Sequence, residues 1–165
     1  MLLLLPVLLI AVVLQSVTLP GAALQSIRPD LVLVIAVGWG TLRGWEDGLV
    51  VGLIGGFMTD LTSATPWGIN IVRLGVVGVA AGLAAQRLAR EGPLVPIAAA
   101  ASTTILGFAL TVLGLQATRW ALPWEHALVF QALPSAALNA AIMVAAFPVL
   151  RALSRRGAAP EEVGA

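Results

Sequence analysis

The 165-residue chain lacks cysteine, lysine and tyrosine, and it contains a single histidine, His126. Without cysteine it has no disulfide, no thiolate nucleophile and no thiolate metal site. Only 10% of its residues are charged, whereas a typical soluble domain has about 25%. The formal net charge of +1 gives no support for a general attraction to nucleic acid. These shortages argue against a soluble enzyme, a disulfide scaffold, a His-rich metal site and a nucleic-acid binder.

Apolar residues are abundant instead, at 59% of the chain. A membrane-spanning helix needs roughly 20 of them in a row. Six apolar segments can be read, at about 2–19, 29–43, 47–63, 67–88, 94–117 and 126–150. The predicted fold class is therefore an all-α polytopic membrane protein with six transmembrane helices. We expect one membrane domain over residues 1–151 and a cytoplasmic, disordered tail over 152–165.

Two of these segments need comment. No arginine or lysine precedes the first segment, so we interpret it as a retained helix and not as a cleaved signal peptide. The second segment, 29–43, is short for a spanning helix, and it could be partly re-entrant. Pro29 and Asp30 at its start are typical of a first helical turn.

The arginines predict the orientation. If the N-terminus is cytoplasmic, the cytoplasmic loops and tail contain Arg43, Arg87, Arg90, Arg151, Arg155 and Arg156, and the outer loops contain only Arg28 and Arg119. Because short cytoplasmic loops are enriched in arginine and lysine, we place both termini in the cytoplasm. We interpret the arginines of the tail as an anchor for anionic lipid and a topology signal. Binding of a cytoplasmic protein is the alternative.

Glycines recur at helical spacing in two consecutive segments. The third segment has them four residues apart, and the fourth has a similar set: Gly48, Gly52 and Gly56, then Gly75, Gly78 and Gly82. In lipid, small residues let two helix backbones approach closely, and this packing drives association. The pattern predicts either internal packing of the third segment on the fourth or a docking face for another membrane protein.

Asp60 is an isolated acid at the end of the glycine-bearing third segment. A lone charge in a membrane costs several kcal/mol, so it needs a partner or water. Arg73 lies at a similar depth on the next, antiparallel segment, and we therefore predict an Asp60–Arg73 ion pair to which Asn70 adds hydrogen bonds. Gly68 lies in the turn between them.

This predicted cluster has three interpretations. It is a structural clamp on the hairpin, a polar site for a partner or ligand, or a site of proton transfer or catalysis. A single carboxylate without a nucleophile, a second acid or a metal ligand is a poor catalytic arrangement. The sequence therefore predicts no catalytic residue, no cofactor and no metal site. Elsewhere, Asn139 and Ser135 in the sixth segment lie near Pro134, and they could form hydrogen bonds across helices or bond to a carbonyl that the proline leaves free.

Residues 28–84 resemble the rod shape-determining protein MreD family. The resemblance is carried by Pro29 and Leu31, by Gly48, Gly52 and Gly56, by Asp60 and Leu61, by Pro66, Trp67 and Gly68, and by Gly75 and Gly82. Chain length, the six predicted spans and the cytoplasmic termini are similar as well. The spacing from Asp60 to Gly68 is its most specific part.

The resemblance implies a non-enzymatic membrane subunit of the cell-wall elongation machinery. The partners it implies are the bitopic shape protein MreC, the MreB filament, RodA and the elongation transpeptidase, together with membrane lipid. It also implies a likeness to the six-helix substrate-binding components of energy-coupling-factor transporters. The alternative function is therefore a vitamin-binding transporter subunit, although the lack of tyrosine and the few polar groups within the segments count against a ligand pocket.

Overall fold

A computed structural model describes residues 4–17, 29–88, 94–118 and 131–156. All the regular secondary structure in these ranges is helical, so the predicted all-α class is confirmed. The helices are α1 (Leu4–Val17), α2 (Leu31–Arg43), α3 (Trp45–Thr62), α4 (Ile69–Leu88), α5 (Leu94–Ala117) and α6 (Leu133–Arg156). Each predicted segment therefore corresponds to one helix.

Three of the helices are long and apolar enough to cross a membrane: α4, α5 and the Leu133–Arg155 part of α6. Helices α1 and α2 are apolar but have only 14 and 13 residues. At 1.5 Å per residue they extend about 20 Å, which is less than the roughly 30 Å of a hydrocarbon core. Helix α3 has 18 residues and carries three acids, Glu46, Asp47 and Asp60. Of the six predicted spans, length and composition thus confirm three.

Helix α2 lies at the centre of the bundle. Its residues from Val32 to Gly40 are all buried, and α2 contacts each of the other five helices. A helix that is apolar on every side lies either in a protein core or in lipid, and the burial of α2 shows that it lies in the core. The short second segment is thus a continuous helix from Leu31 to Arg43 and forms the core of the fold.

Helices α3 and α4 form an antiparallel hairpin beside α2. Only Gly44 separates α2 from α3, and its φ of 105° lies in the left-handed region, which favours glycine. Residues 63–68 connect α3 to α4. The start of α3 then packs on the end of α4, with Gly48 against Gly78, and the end of α3 packs on the start of α4, with Gly56 against Asn70.

The C-terminal boundary differs from the prediction. Helix α6 begins at Leu133 and continues to Arg156, so residues 152–156 are helical, although they were expected to belong to a disordered tail. The predicted sixth span began at 126, but residues 126–130, including His126, lie outside the described residues, as do 157–165. Arg28, Arg90 and Arg119 also lie outside them.

Candidate functional site

The glycines of α3 face the backbone of α4. A Cβ atom added at Gly48 would lie 2.5 Å from the carbonyl oxygen of Gly78, and one added at Gly56 would lie 2.5 Å from that of Asn70. A Cβ at Gly52 would overlap the carbonyl group of Leu74. Because backbone atoms cannot rotate away, these positions require glycine for the close approach that stabilises helix pairs in lipid.

The glycines of α4 complete the same interface. Gly78 and Gly82 approach the backbone of α3 at Gly48 and Trp45. Gly75 is less tightly packed, since a Cβ there would first meet the Leu53 side chain, at 3.1 Å. Of the two alternatives that the sequence left open for these glycines, the structure has the internal packing. Their glycine faces are buried against each other, so a docking partner cannot use them.

Asp60 lies near the end of α3 and is only 1% exposed. Its Oδ2 atom accepts hydrogen bonds from the backbone N–H groups of Gly68, at 3.0 Å, and Ile71, at 3.3 Å. Its Oδ1 atom accepts one from the backbone N–H of Asn70, at 3.2 Å. The carboxylate of α3 therefore caps the first turn of α4.

The loop between α3 and α4 encloses this carboxylate. The Asn70 side chain donates to Asp60 Oδ1 at 2.8 Å and to Thr65 Oγ1 at 2.9 Å, and it also lies 3.3 Å from Ser63 Oγ. The hydroxyls of Ser63 and Thr65 are hydrogen-bonded to each other at 2.7 Å. Both oxygens of the Asp60 carboxylate are thus engaged within one hairpin.

This arrangement solves two problems of a helix that begins inside a bundle. The first N–H groups of any helix have no partner within it, and Asp60 accepts three N–H bonds at this end of α4. The helix macrodipole also favours a negative charge at that end. Gly68 adopts a φ of 94°, and a Cβ there would meet nothing within 4 Å. Glycine is therefore required at position 68 because of the positive φ of the turn, and not because a larger side chain would clash.

The predicted Asp60–Arg73 ion pair is wrong. Arg73 Nη1 donates instead to Asp30 Oδ2, at 2.7 Å, and the two side chains are only 14% and 13% exposed. The physical reason is the short length of α2. Arg73 lies four residues after the first residue of α4, which is about 6 Å along the helix, and the partly buried start of α2 lies beside it. Asp60 already has its partners in the backbone of α4.

Asp30 is the N-cap of α2 and connects several helices. Its Oδ1 accepts from the backbone N–H of Leu33 at 3.0 Å, and its own N–H donates to Asn139 Oδ1 at 2.9 Å. Asn139 is fully buried, and its Nδ2 donates to Thr104 Oγ1 at 3.1 Å. Gln15 on α1 lies 3.5 Å from Asp30 Oδ1. Asn139 therefore forms hydrogen bonds across helices, which was one of the two alternatives for this residue.

Both carboxylates therefore stabilise helix ends. In the part of the chain that the structure describes, no group of three or more His, Asp or Glu side chains could hold a metal ion. Asp30 is the member of the site that sequence reasoning missed. The sequence did contain a sign of this role, because Asp30 is a second acid at the start of an apolar segment. That acid was interpreted only as part of a helix start.

A sequence model of the family described as rod shape-determining protein MreD matches residues 1–156. No curated protein and no solved structure matches the chain, so the expected likeness to energy-coupling-factor transporter components finds no support. The family match extends over both capped helices, the glycine interface and α6. The chain therefore belongs to the family of the rod shape-determining protein MreD.

Proposed function

We propose that the chain acts in rod-shape determination as a non-enzymatic membrane scaffold. In this role it binds the bitopic shape protein MreC and helps to position the peptidoglycan synthases, with MreB, RodA and the elongation transpeptidase as further members of the complex. The observation that carries the proposal is the use of two carboxylates, that of the buried Asp60 and that of the partly buried Asp30. Asp60 and Asp30 each accept a backbone N–H at the start of a helix, which is what a rigid scaffold requires.

The proposed placement in the membrane has six crossings with both termini in the cytoplasm. It is supported by the distribution of charge along the bundle. Arg43 and Arg87 lie in the last turns of α2 and α4, and Arg155 lies near the end of α6, which runs in the same direction. Cytoplasmic ends of membrane helices are enriched in arginine. The capped starts of α2 and α4 then face the outer side.

The glycine interface supports a scaffold in a second way. At Gly48, Gly52 and Gly56 the contact between α3 and α4 is made with backbone atoms, which have no rotamers to change, so the hairpin is held in one geometry. The buried glycine faces are not available to a partner, and MreC must therefore bind elsewhere on the bundle. Asp60, Gly68 and Asn70 act in this proposal by fixing the hairpin, and Arg73 acts by tying it to α2.

Affinity purification from native membranes tests this function. We expect an MreC-type protein to be recovered with the tagged chain. Recovery of an ATPase pair with a coupling subunit, or of a bound vitamin, would instead establish the transporter alternative. Gly52→Leu should abolish recovery of the partner because it separates α3 from α4. Val50→Leu introduces the same side chain at a position of α3 that is 39% exposed, and it should leave recovery unchanged.

A further inference from the structure

A shallow groove lies between the ends of α2 and α6, opposite the capped helix starts. It has a volume of about 380 Å³ and is lined by Leu42, Arg43, Ser154 and Arg155. Helix α6 is long and apolar enough to cross a membrane, so its ends lie at the level of the lipid headgroups. The groove thus presents two arginines where phosphate groups of the membrane are concentrated.

Arg43 is held in a fixed position at one wall of the groove. Its Nε donates to Asp47 Oδ2 at 2.7 Å, and its Nη1 donates to the carbonyl oxygen of Ser154 at 3.3 Å. The guanidinium also lies over the Trp39 ring, 5.8 Å from its centroid. Because the last carbonyls of a helix lack partners within it, Arg43 caps α6 from α2. A guanidinium has five N–H groups, so further donors remain for a ligand.

The positive charge of Arg43 is balanced by Asp47. The uncompensated positive charge of the groove therefore comes from Arg155. It is exposed on the other wall of the groove, and Arg151, one turn earlier on α6, is exposed as well. The ion pairs found among the described residues are Arg43–Asp47 and Arg73–Asp30, and neither involves these two arginines. The groove therefore has a net positive charge.

We propose that this groove is a binding site for the headgroup phosphate of an anionic phospholipid. Arg43 and Arg155 donate to the phosphate oxygens from opposite walls, because a guanidinium matches the geometry of phosphate and stays charged. The inference goes beyond the scaffold function, since it needs no protein partner and would hold if MreC bound elsewhere or not at all.

A second groove at the same end of the bundle provides a control. It has a volume of about 420 Å³ and is lined by Ala80, Leu83, Ala84, Arg87 and Leu88. This groove is similar in size but contains a single arginine. If two guanidiniums are needed to hold the phosphate, removal of Arg87 should have little effect on lipid binding.

Native mass spectrometry of the purified full-length chain tests the proposal. The protein is equilibrated with equal amounts of phosphatidylglycerol and phosphatidylcholine, and the lipid that it retains is measured. We expect selective retention of phosphatidylglycerol, and about a tenfold loss of it in Arg155→Gln, the effect of one charge-assisted hydrogen bond. Arg87→Gln should retain as much as the unmodified chain. Equal losses in both variants would show a general charge effect, and no loss in Arg155→Gln would also overturn the proposal.

Two further measurements keep the test decisive. Arg43→Gln removes the cap on α6, so Arg43→Lys is measured beside it, because lysine keeps the charge but loses the planar fork. We expect Arg43→Lys to remain folded and to retain less phosphatidylglycerol than the unmodified chain. Glycerol phosphate in molar excess should not displace the lipid. Complete displacement would identify the groove as a site for free phosphate and overturn the lipid assignment.

Discussion

Replacing Asp60 by asparagine removes the charge of the α4 cap with almost no change in shape. The amide oxygen can still accept the bonds from Asn70. The new NH₂ group, however, faces the N–H groups of Gly68 and Ile71, which lose their acceptor. Gly68 and Ile71 are only partly buried, so each unsatisfied N–H costs about 1 kcal/mol, the lower end of the range for such groups, and the lost attraction to the helix dipole adds about 1 kcal/mol. We expect Asp60→Asn to lower the free energy of unfolding by about 3 kcal/mol.

The assay is reversible unfolding of the purified chain in mixed micelles, followed by tryptophan fluorescence. Asp47→Asn is the matched control, because it makes the same change on the same helix. Asp47 is 32% exposed and is paired with Arg43 four residues earlier, so its loss should cost about 0.5 kcal/mol or less. Equal losses in the two variants would refute the reasoning that Asp60 stabilises the fold as a buried cap.

The remaining predictions use the same unfolding assay. Asp30→Asn and Arg73→Gln should each lower the free energy of unfolding by about 3 kcal/mol, because each leaves one largely buried group without its ion-pair partner. The double variant should lose clearly less than the sum of the two single losses, and additive losses would contradict a direct pair. Gly52→Ala should destabilise the chain more than Gly75→Ala, since the first meets backbone and the second a leucine side chain; the reverse order would contradict the assigned interface. Gly68→Ala should cost about 1–2 kcal/mol from its positive φ alone, and no measurable loss would argue against that turn conformation.

Much of the hairpin could be predicted from the sequence. The four-residue spacing of Gly48, Gly52 and Gly56 places all three on one helix face, and a face without side chains has few uses in lipid other than close packing. The short polar loop then requires the next helix to return antiparallel. These are local regularities, and for that reason they could be read from the sequence without knowledge of the rest of the fold.

The partner of Asp60 could not be predicted in the same way. Sequence reasoning compares side chains, and Arg73 was the nearest cation. The actual partners are backbone N–H groups, which every residue except proline has and which a sequence therefore does not distinguish. Asn70 was the visible sign of the true arrangement, since it was expected to add hydrogen bonds to Asp60 and does so at 2.8 Å.

The Asp30–Arg73 pair depends on a tertiary fact, the depth at which α2 begins. The sequence showed that the second segment is short, but a short helix can begin at either surface or inside the bundle. In the structure its capped start lies beside Arg73, and Asn139 on α6 accepts its first N–H at 2.9 Å. That contact joins residues 109 positions apart, and no local pattern predicts such a separation.

The most direct test of the central claim compares cell shape with the amount of folded protein. The claim is that Asp60 acts only by folding the scaffold. In a rod-shaped bacterium from which its own family member has been deleted, the unmodified chain and Asp60→Asn are each expressed over a range of levels, and cell width is measured against folded protein in the membrane. The account predicts one common curve, with rods restored wherever folded protein reaches the same amount. Loss of rod shape in Asp60→Asn cells at an amount of folded protein that suffices for the unmodified chain would contradict it.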